Sequence, residues 1–219
     1  MKIKKYILIA AAVAAIAAAA AFGTYAYLTD MGKLNNEFTI GRNNIDIEEK
    51  YDPPSELTEG DNIFTKEVQI ENTGNVDCYV RVFADFSDSA VKENAFLSPE
   101  VLKDPEDPAW VKATEYRDFL AENQDKYHWV YIPLSENPLL GGYYYYDIPL
   151  APGERTTYLI RSVNANFETA QKVQDFDIII SAESVQVLNK DGNEFSSWQE
   201  CWTEFMERRT VGDEEGEQP

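Results

Sequence analysis

A chain of 219 residues with one histidine and two cysteines offers few places for chemistry. His128 is the lone imidazole, within Tyr127-His128-Trp129-Val130-Tyr131, where strand alternation would set it on one face with Val130. To act as a general base it needs a serine or cysteine nucleophile beside it and an acid to orient it. No Gly-x-Ser-x-Gly elbow is present, and neither cysteine lies in a nucleophile motif. One histidine cannot build an HExxH zinc site, and two cysteines cannot build a four-thiolate one. The expectation is a structural His128, with no catalytic residue, no metal site and no cofactor, in a protein that is not an enzyme. Asp46, Glu48 and Glu49, and Asp104, Glu106 and Asp107, are oxygen-rich groups without the EF-hand pattern, and read as solvated surface. Asp191-Gly192-Asn193 reads as a turn. Cys78 and Cys201 are the candidates for a disulfide, and two separate buried thiols remain the equal alternative. Tyr143, Tyr144, Tyr145 and Tyr146 form the last candidate. In a strand one pair packs inward and the other is presented outward as an aromatic contact surface for sugars or another subunit.

These residues need strands to hold them. Period-two alternation dominates the chain. Phe38 and Ile40, then Ile45 and Ile47, are short alternations ahead of Pro53-Pro54. Phe64 to Glu71 reads as a strand with Phe64, Lys66, Val68 and Ile70 on the core face. After Asn72-Thr73-Gly74-Asn75, residues Val76 to Phe86 read as a second strand, facing the core with Val76, Cys78, Val80, Val82 and Ala84. Two such runs around a polar turn predict a hairpin. Residues 87–125 are polar, punctuated by Pro99, Pro105 and Pro108, and read as an insertion on a sandwich edge with a helix between Trp110 and Asn123. Tyr127 to Pro133 and Gly142 to Leu150 are expected to pair across the intervening loop. Ala151-Pro152-Gly153-Glu154 places Pro and Gly at the centre of a type II turn. Thr156 to Val163 and Phe176 to Val187 are long β-branched runs. Ser196 with Gln199 reads as a capping box opening a C-terminal helix, 196–209, whose apolar face is Trp198, Cys201, Trp202, Phe205 and Met206. An acidic tail, 210–219, is expected to be disordered.

The formal charge is −20, which argues against nucleic acid or an anionic membrane as partner. Lys2, Lys4 and Lys5 precede an uncharged, alanine-rich run, and Thr24-Tyr25-Ala26 sets small residues at the −3 and −1 positions of a signal-peptidase site. Residues 1–26 therefore read as a signal peptide, with Tyr27 as the first mature residue. An uncleaved anchor is the other reading of the same run.

Gly23-Thr24-Tyr25-Ala26-Tyr27-Leu28-Thr29-Asp30 resembles the block recognised by SipW-type signal peptidases, with Leu28 where phenylalanine is usual. Leu34 to Gly41, Phe64 to Val68, Ile70 to Gly74, Leu150 to Glu154 and Phe176 to Ile180 resemble the TasA/camelysin family. The resemblance implies an all-β, jelly-roll-like antiparallel β-sandwich over 27–209, secretion to the extracellular matrix or cell surface, and self-association into biofilm fibres. It also implies that the mature N-terminal segment is donated as a strand to the next subunit, here beginning Tyr27, Leu28, Thr29, Asp30 and running to about Gly41. Matrix polysaccharide or a co-exported subunit would be further partners. Some family members carry a metallopeptidase label, which the missing zinc motif does not support here. A monomeric secreted adhesin or polysaccharide-binding module is the alternative.

Overall fold

The computed structural model describes residues 43–215, with side chains through Arg209. Among these, nine antiparallel strands form two sheets. The first sheet takes β1 (Ile45–Asp52), β2 (Gly60–Asn72), β8 (Ile160–Phe167), β4 (Ala95–Ser98) and β5 (Val111–Lys112), in that order. The second takes β6 (Trp129–Ile132), β7 (Tyr143–Tyr146), β3 (Cys78–Phe86) and β9 (Ile178–Gln186). The expected all-β sandwich is present, and β6 pairs with β7 as expected. Short helices α1 (Ser89–Glu93), α2 (Tyr116–Glu122) and α3 (Gln124–Tyr127) lie between strands, and α4 (Trp198–Glu215) follows them.

The period-two pattern decides which side of each strand is dry. In β2, Phe64, Lys66, Val68, Ile70 and Asn72 are buried while their neighbours are half-buried. They face Val80 and Val82 of β3, with Leu159, Ile160 and Val163, in the main core. Lys66 is tolerated there because Glu49 on β1 accepts from its Nζ at 2.6 Å and the ammonium lies 4.9 Å from the Tyr51 ring centroid.

The expected hairpin between β2 and β3 is not formed. Both edges of β2 are taken by β1 and β8, and both edges of β3 by β7 and β9, so the two strands pack face to face in different sheets. Alternation reports a buried face but does not say which strand shares the ladder. The crossover is held by the buried Asn72, whose Nδ2 donates to the carbonyls of Val76 and Leu150, both at 2.8 Å. Alongside it, residues 150–156 make the return crossing. Leu150 exchanges backbone bonds with Cys78, and Gly153 and Glu154 with Asn72. Gly153, at φ +82, gives this turn its expected type II form.

Residues 87–125 are more than an edge insertion. Ala95–Ser98 pairs with β8 inside the first sheet, and α2 sends Tyr116 and Leu120 into the main core. Four residues between polar loops are too few for periodicity to reveal. The C-terminal helix opens one residue later than expected. Ser197 Oγ accepts from the Glu200 amide at 3.2 Å, and the Glu200 carboxylate accepts from the Ser196 amide at 2.9 Å. The backbone of α4 is helical to Glu215, past the expected end at Arg209. No proline interrupts this stretch, and extending a formed helix adds a backbone bond per residue.

Candidate functional site

The outer face of the second sheet is where most candidate residues fall. Along β7, Tyr144 and Tyr146 point into the main core, while Tyr145 belongs to a second cluster beneath α4 with Tyr79, Leu140, Trp198, Cys201 and Trp202. Tyr145 is 0% exposed, stacked on Trp198 with ring centroids 4.9 Å apart. Its hydroxyl donates to the Leu140 carbonyl at 2.6 Å. Tyr143 is half-buried under the same cover. The expected outward tyrosine surface is therefore not available, because the apolar face of α4 lies on it.

Arg81 sits at the centre of this cluster, 1% exposed. Its Nε donates to Glu183 Oε2 at 2.8 Å, and Nη2 donates to the same oxygen. Nη1 donates to the Tyr145 hydroxyl at 3.2 Å. The guanidinium lies 4.0 Å from the Tyr143 ring centroid and 4.5 Å from that of Trp202. Burial alone would raise the Glu183 carboxyl, but hydrogen bonds and charge from Arg81, then Arg209, hold it below its usual range. Its carboxylate is held by Arg81 and the thiol of this cluster, Cys201, is buried, so neither is presented to a substrate. The constellation is a clamp for α4.

The two thiols are free. Cys78 belongs to the core between the sheets and Cys201 to the cluster under α4, so the second sheet stands between them, and of the two alternatives it is the pair of separate buried thiols that is found. Burial, with a smaller contribution from neighbouring charge, pushes both up to about 12. His128 is not in a strand. It ends α3 at φ +62, with its amide donating to the Gln124 carbonyl at 2.8 Å. Its Nδ1 lies 3.0 Å from Asp147 Oδ1, and Gln124 Nε2 donates to Asp147 Oδ2 at 2.5 Å. Asp147 is thus shared between His128 and Gln124, a side-chain network that ties α3 to the end of β7.

A catalytic zinc needs three converging protein donors. Among the described residues no three His, Cys, Asp or Glu side chains come together to hold a metal. Glu48 is bound to Arg155 and Glu49 to Lys66, while Asp104 and Asp107 cap backbone amides of their own turns. The donor set does not fit a metal centre.

What the fold leaves open is an edge. Along β9 and just beyond its two ends, Glu183, Asp177 and Val187 turn their backbone groups toward β3, with the Val187 amide donating to Asp77 and the Ser87 amide to Asp177. Alternation then turns the amides and carbonyls of Ile178, Ile180, Ala182 and Ser184 away from β3. Among the described residues no strand pairs with that side. Across the gap, register sets Ile47 and Tyr51 of β1 on the core side with Ile70 and Lys66, yet they are 39% and 51% exposed. Beside the far end of β9 lies a groove of about 220 Å³, lined by Val185, Leu188, Phe195, Phe205 and Arg208, with Asn43 at its rim. Sequence reading found the β9 run but had no signal for its being an edge. It also passed over Arg81, whose place between Val80 and Val82 marks a charge on an otherwise apolar strand.

The signal-peptidase residues Thr24, Ala26 and Tyr27 and the donor residues Tyr27, Leu28, Thr29 and Asp30 lie outside the described residues. No curated protein matches the chain. Residues 2–95, a span that takes in β1 to β3 and α1 but not β9 or α4, match the model of the family described as camelysin metallo-endopeptidase, and over that span the chain is similar to the camelysin family.

Proposed function

We propose that this is a secreted structural protein whose copies assemble head to tail, the N-terminal segment of one pairing with an open sheet edge of the next. The observation that supports this reading is β9, a nine-residue strand at the edge of its sheet, with core-side apolar residues of β1 exposed beside it. Long unpaired edges template strand addition. A segment that supplied a fifth strand here would pair with the outward amides and carbonyls of β9 and lie alongside Ile47 and Tyr51.

Donor and acceptor are different surfaces, so the contact is heterologous, and it propagates as a filament where the rotation between copies does not close a ring. Release from the membrane by a SipW-type signal peptidase after Ala26 would free the donor only outside the cell. The matrix or cell surface would then be its site of action. The description of the matched family points toward a peptidase. The donors for its metal do not converge among the described residues, so no hydrolytic step is assigned and a non-enzymatic role is favoured.

The test is electron microscopy of protein beginning at Tyr27 against protein beginning at Asn43. Gly41–Pro219 is a compact unit with its own core, so the shorter form retains the acceptor. Fibres from the longer form alone support the proposal. Equal fibres from both, or none from either across salt and pH, overturn it.

A further inference from the structure

We infer that the groove between β9 and α4 is the side-chain pocket that selects the incoming strand, and that its occupant is the segment Lys33–Arg42 of a second copy, seated by Phe38 and Ile40. This rests on the donor-strand reading and adds to it the acceptor's specificity site.

In strand addition the main-chain bonds are sequence-blind, and discrimination comes from pockets that take alternate side chains. The open side of β9 leads into such a pocket. Its floor is apolar, built by Val185 of β9, Leu188 and Phe195 of the hairpin that follows, and Phe205 of α4. Leu188 is 39% exposed, a large apolar side chain left in water at the pocket mouth. The hairpin is fixed by the bridge between Leu188 and Glu194, so the floor is preformed and its ordering is not charged to binding. Above it, Ser184 turns its backbone groups outward, ready for a ladder bond next to the pocket.

The occupant follows from sequence and charge. Leu34, Asn36, Phe38 and Ile40 share one face by alternation, and Phe38 and Ile40 lie two residues apart, as adjacent positions on one strand face must. That face would meet the groove under α4 while the other turns toward Ile47 and Tyr51. Lys33 and Arg42 against Glu37 make this segment net positive in a chain of formal charge −20. It is therefore attracted, not repelled, by the acidic surface of another copy. Asn43, the residue after this segment in the sequence, lies at the rim of the groove, its Oδ1 accepting from Ser184 Oγ at 3.1 Å. Because α4 supplies one wall, the helix beyond the minimal sandwich becomes part of the acceptor.

The experiment mixes two variants of the mature protein, one carrying Ile40→Cys and the other Leu188→Cys, and distinguishes them by a size tag. Under mild oxidation a disulfide between tagged and untagged copies is expected. No such product should form when Leu134→Cys replaces Leu188→Cys, since Leu134 follows β6 at the opposite edge of the sheet. In parallel, Leu188→Glu should raise the concentration needed for assembly about tenfold, the effect of losing one buried leucine. Fibres that form without the cross-link, or equal cross-linking at position 134, overturn the pocket while leaving donor-strand assembly standing. Neither fibres nor cross-link overturns both.

Discussion

Arg81 and Glu183 are register partners on β3 and β9, and the guanidinium that grips the carboxylate from one side is covered on the other by Trp202 of α4. The pair ties the terminal helix to the sheet through one buried cation. Its two members are unequally buried, with side-chain exposures of 2% for Arg81 and 32% for Glu183. Removing the carboxylate strands a charge in an apolar cluster, whereas removing the arginine leaves a carboxylate that still reaches water and Arg209. Glu183→Leu should therefore cost about 3–5 kcal/mol, and Arg81→Met, which keeps the stem's packing, markedly less. Urea midpoints with unchanged slopes would show it. A larger loss for Arg81→Met would mean that the rings, not the ion pair, hold the helix.

The same pair sets a pH dependence. The Glu183 carboxyl lies below its usual range when folded, so the unfolded chain binds its proton first as pH falls. Its contribution is complete above the ordinary carboxylate range and is lost as pH drops through the lowered folded value. Thermal midpoints of the wild type should fall faster than those of Glu183→Gln over that acidic window. Parallel curves would remove Glu183 from the acid response.

Both thiols should be silent in the native protein. With Cys78 and Cys201 pushed up to about 12 and buried, almost no thiolate exists at pH 8. An Ellman-type reagent should label neither until denaturant is added and then both, and the intact mass should carry the hydrogens of two free thiols. A mass two hydrogens lower would show a bridge.

How much of this was readable in advance follows from what alternation can encode. The buried faces of β2, the pairing of β6 with β7 and the type II turn at Gly153 are local, and each was legible. The face-to-face placement of β2 and β3 depends on which strands fill their edges, which residues 64–86 do not contain. The outward tyrosines were misread for the same reason. Nothing near Tyr145 announces that Trp198 and Trp202, over fifty residues later, will lie on it. The signal for the open edge at β9 is weaker still, because edge and interior strands share the same β-branched composition.

The loop joining β6 and β7 depends on Gly141. A Cβ there would lie 2.4 Å from the Leu134 Cα and 2.6 Å from the Asn137 carbonyl oxygen, both backbone atoms that cannot step aside. Gly153 has the opposite problem, a positive φ with nothing within 4 Å of its would-be Cβ. Gly153→Ala should cost about 1–2 kcal/mol from conformation alone. Gly141→Ala should cost more, since overpacking against backbone forces the loop apart. Chemical denaturation of the two variants gives the order directly, and a reversed order would mean the loop opens freely.

Assembly should be governed by salt in one direction. The formal charge of −20 becomes more negative on cleavage after Ala26, because Lys2, Lys4 and Lys5 leave and no acid does. Copies approaching along β9 therefore repel at long range, while the contact itself is built from backbone bonds and apolar side chains that salt does not weaken. Raising ionic strength from physiological, where the screening length is about 8 Å, to 1 M, where it is about 3 Å, should shorten the lag and lower the concentration needed for fibres. Acidification reduces repulsion too, but it also weakens the Glu183 clamp on α4, one wall of the pocket, so salt at neutral pH separates the two effects. Glu204→Gln, at the rim of the groove beside Arg208, should shift the salt curve toward lower ionic strength. Light scattering of the mature protein across a sodium chloride series gives the lag at each point. If assembly slows as salt rises, the contact is held by ion pairs, and an apolar pocket beside an open strand is the wrong description of it.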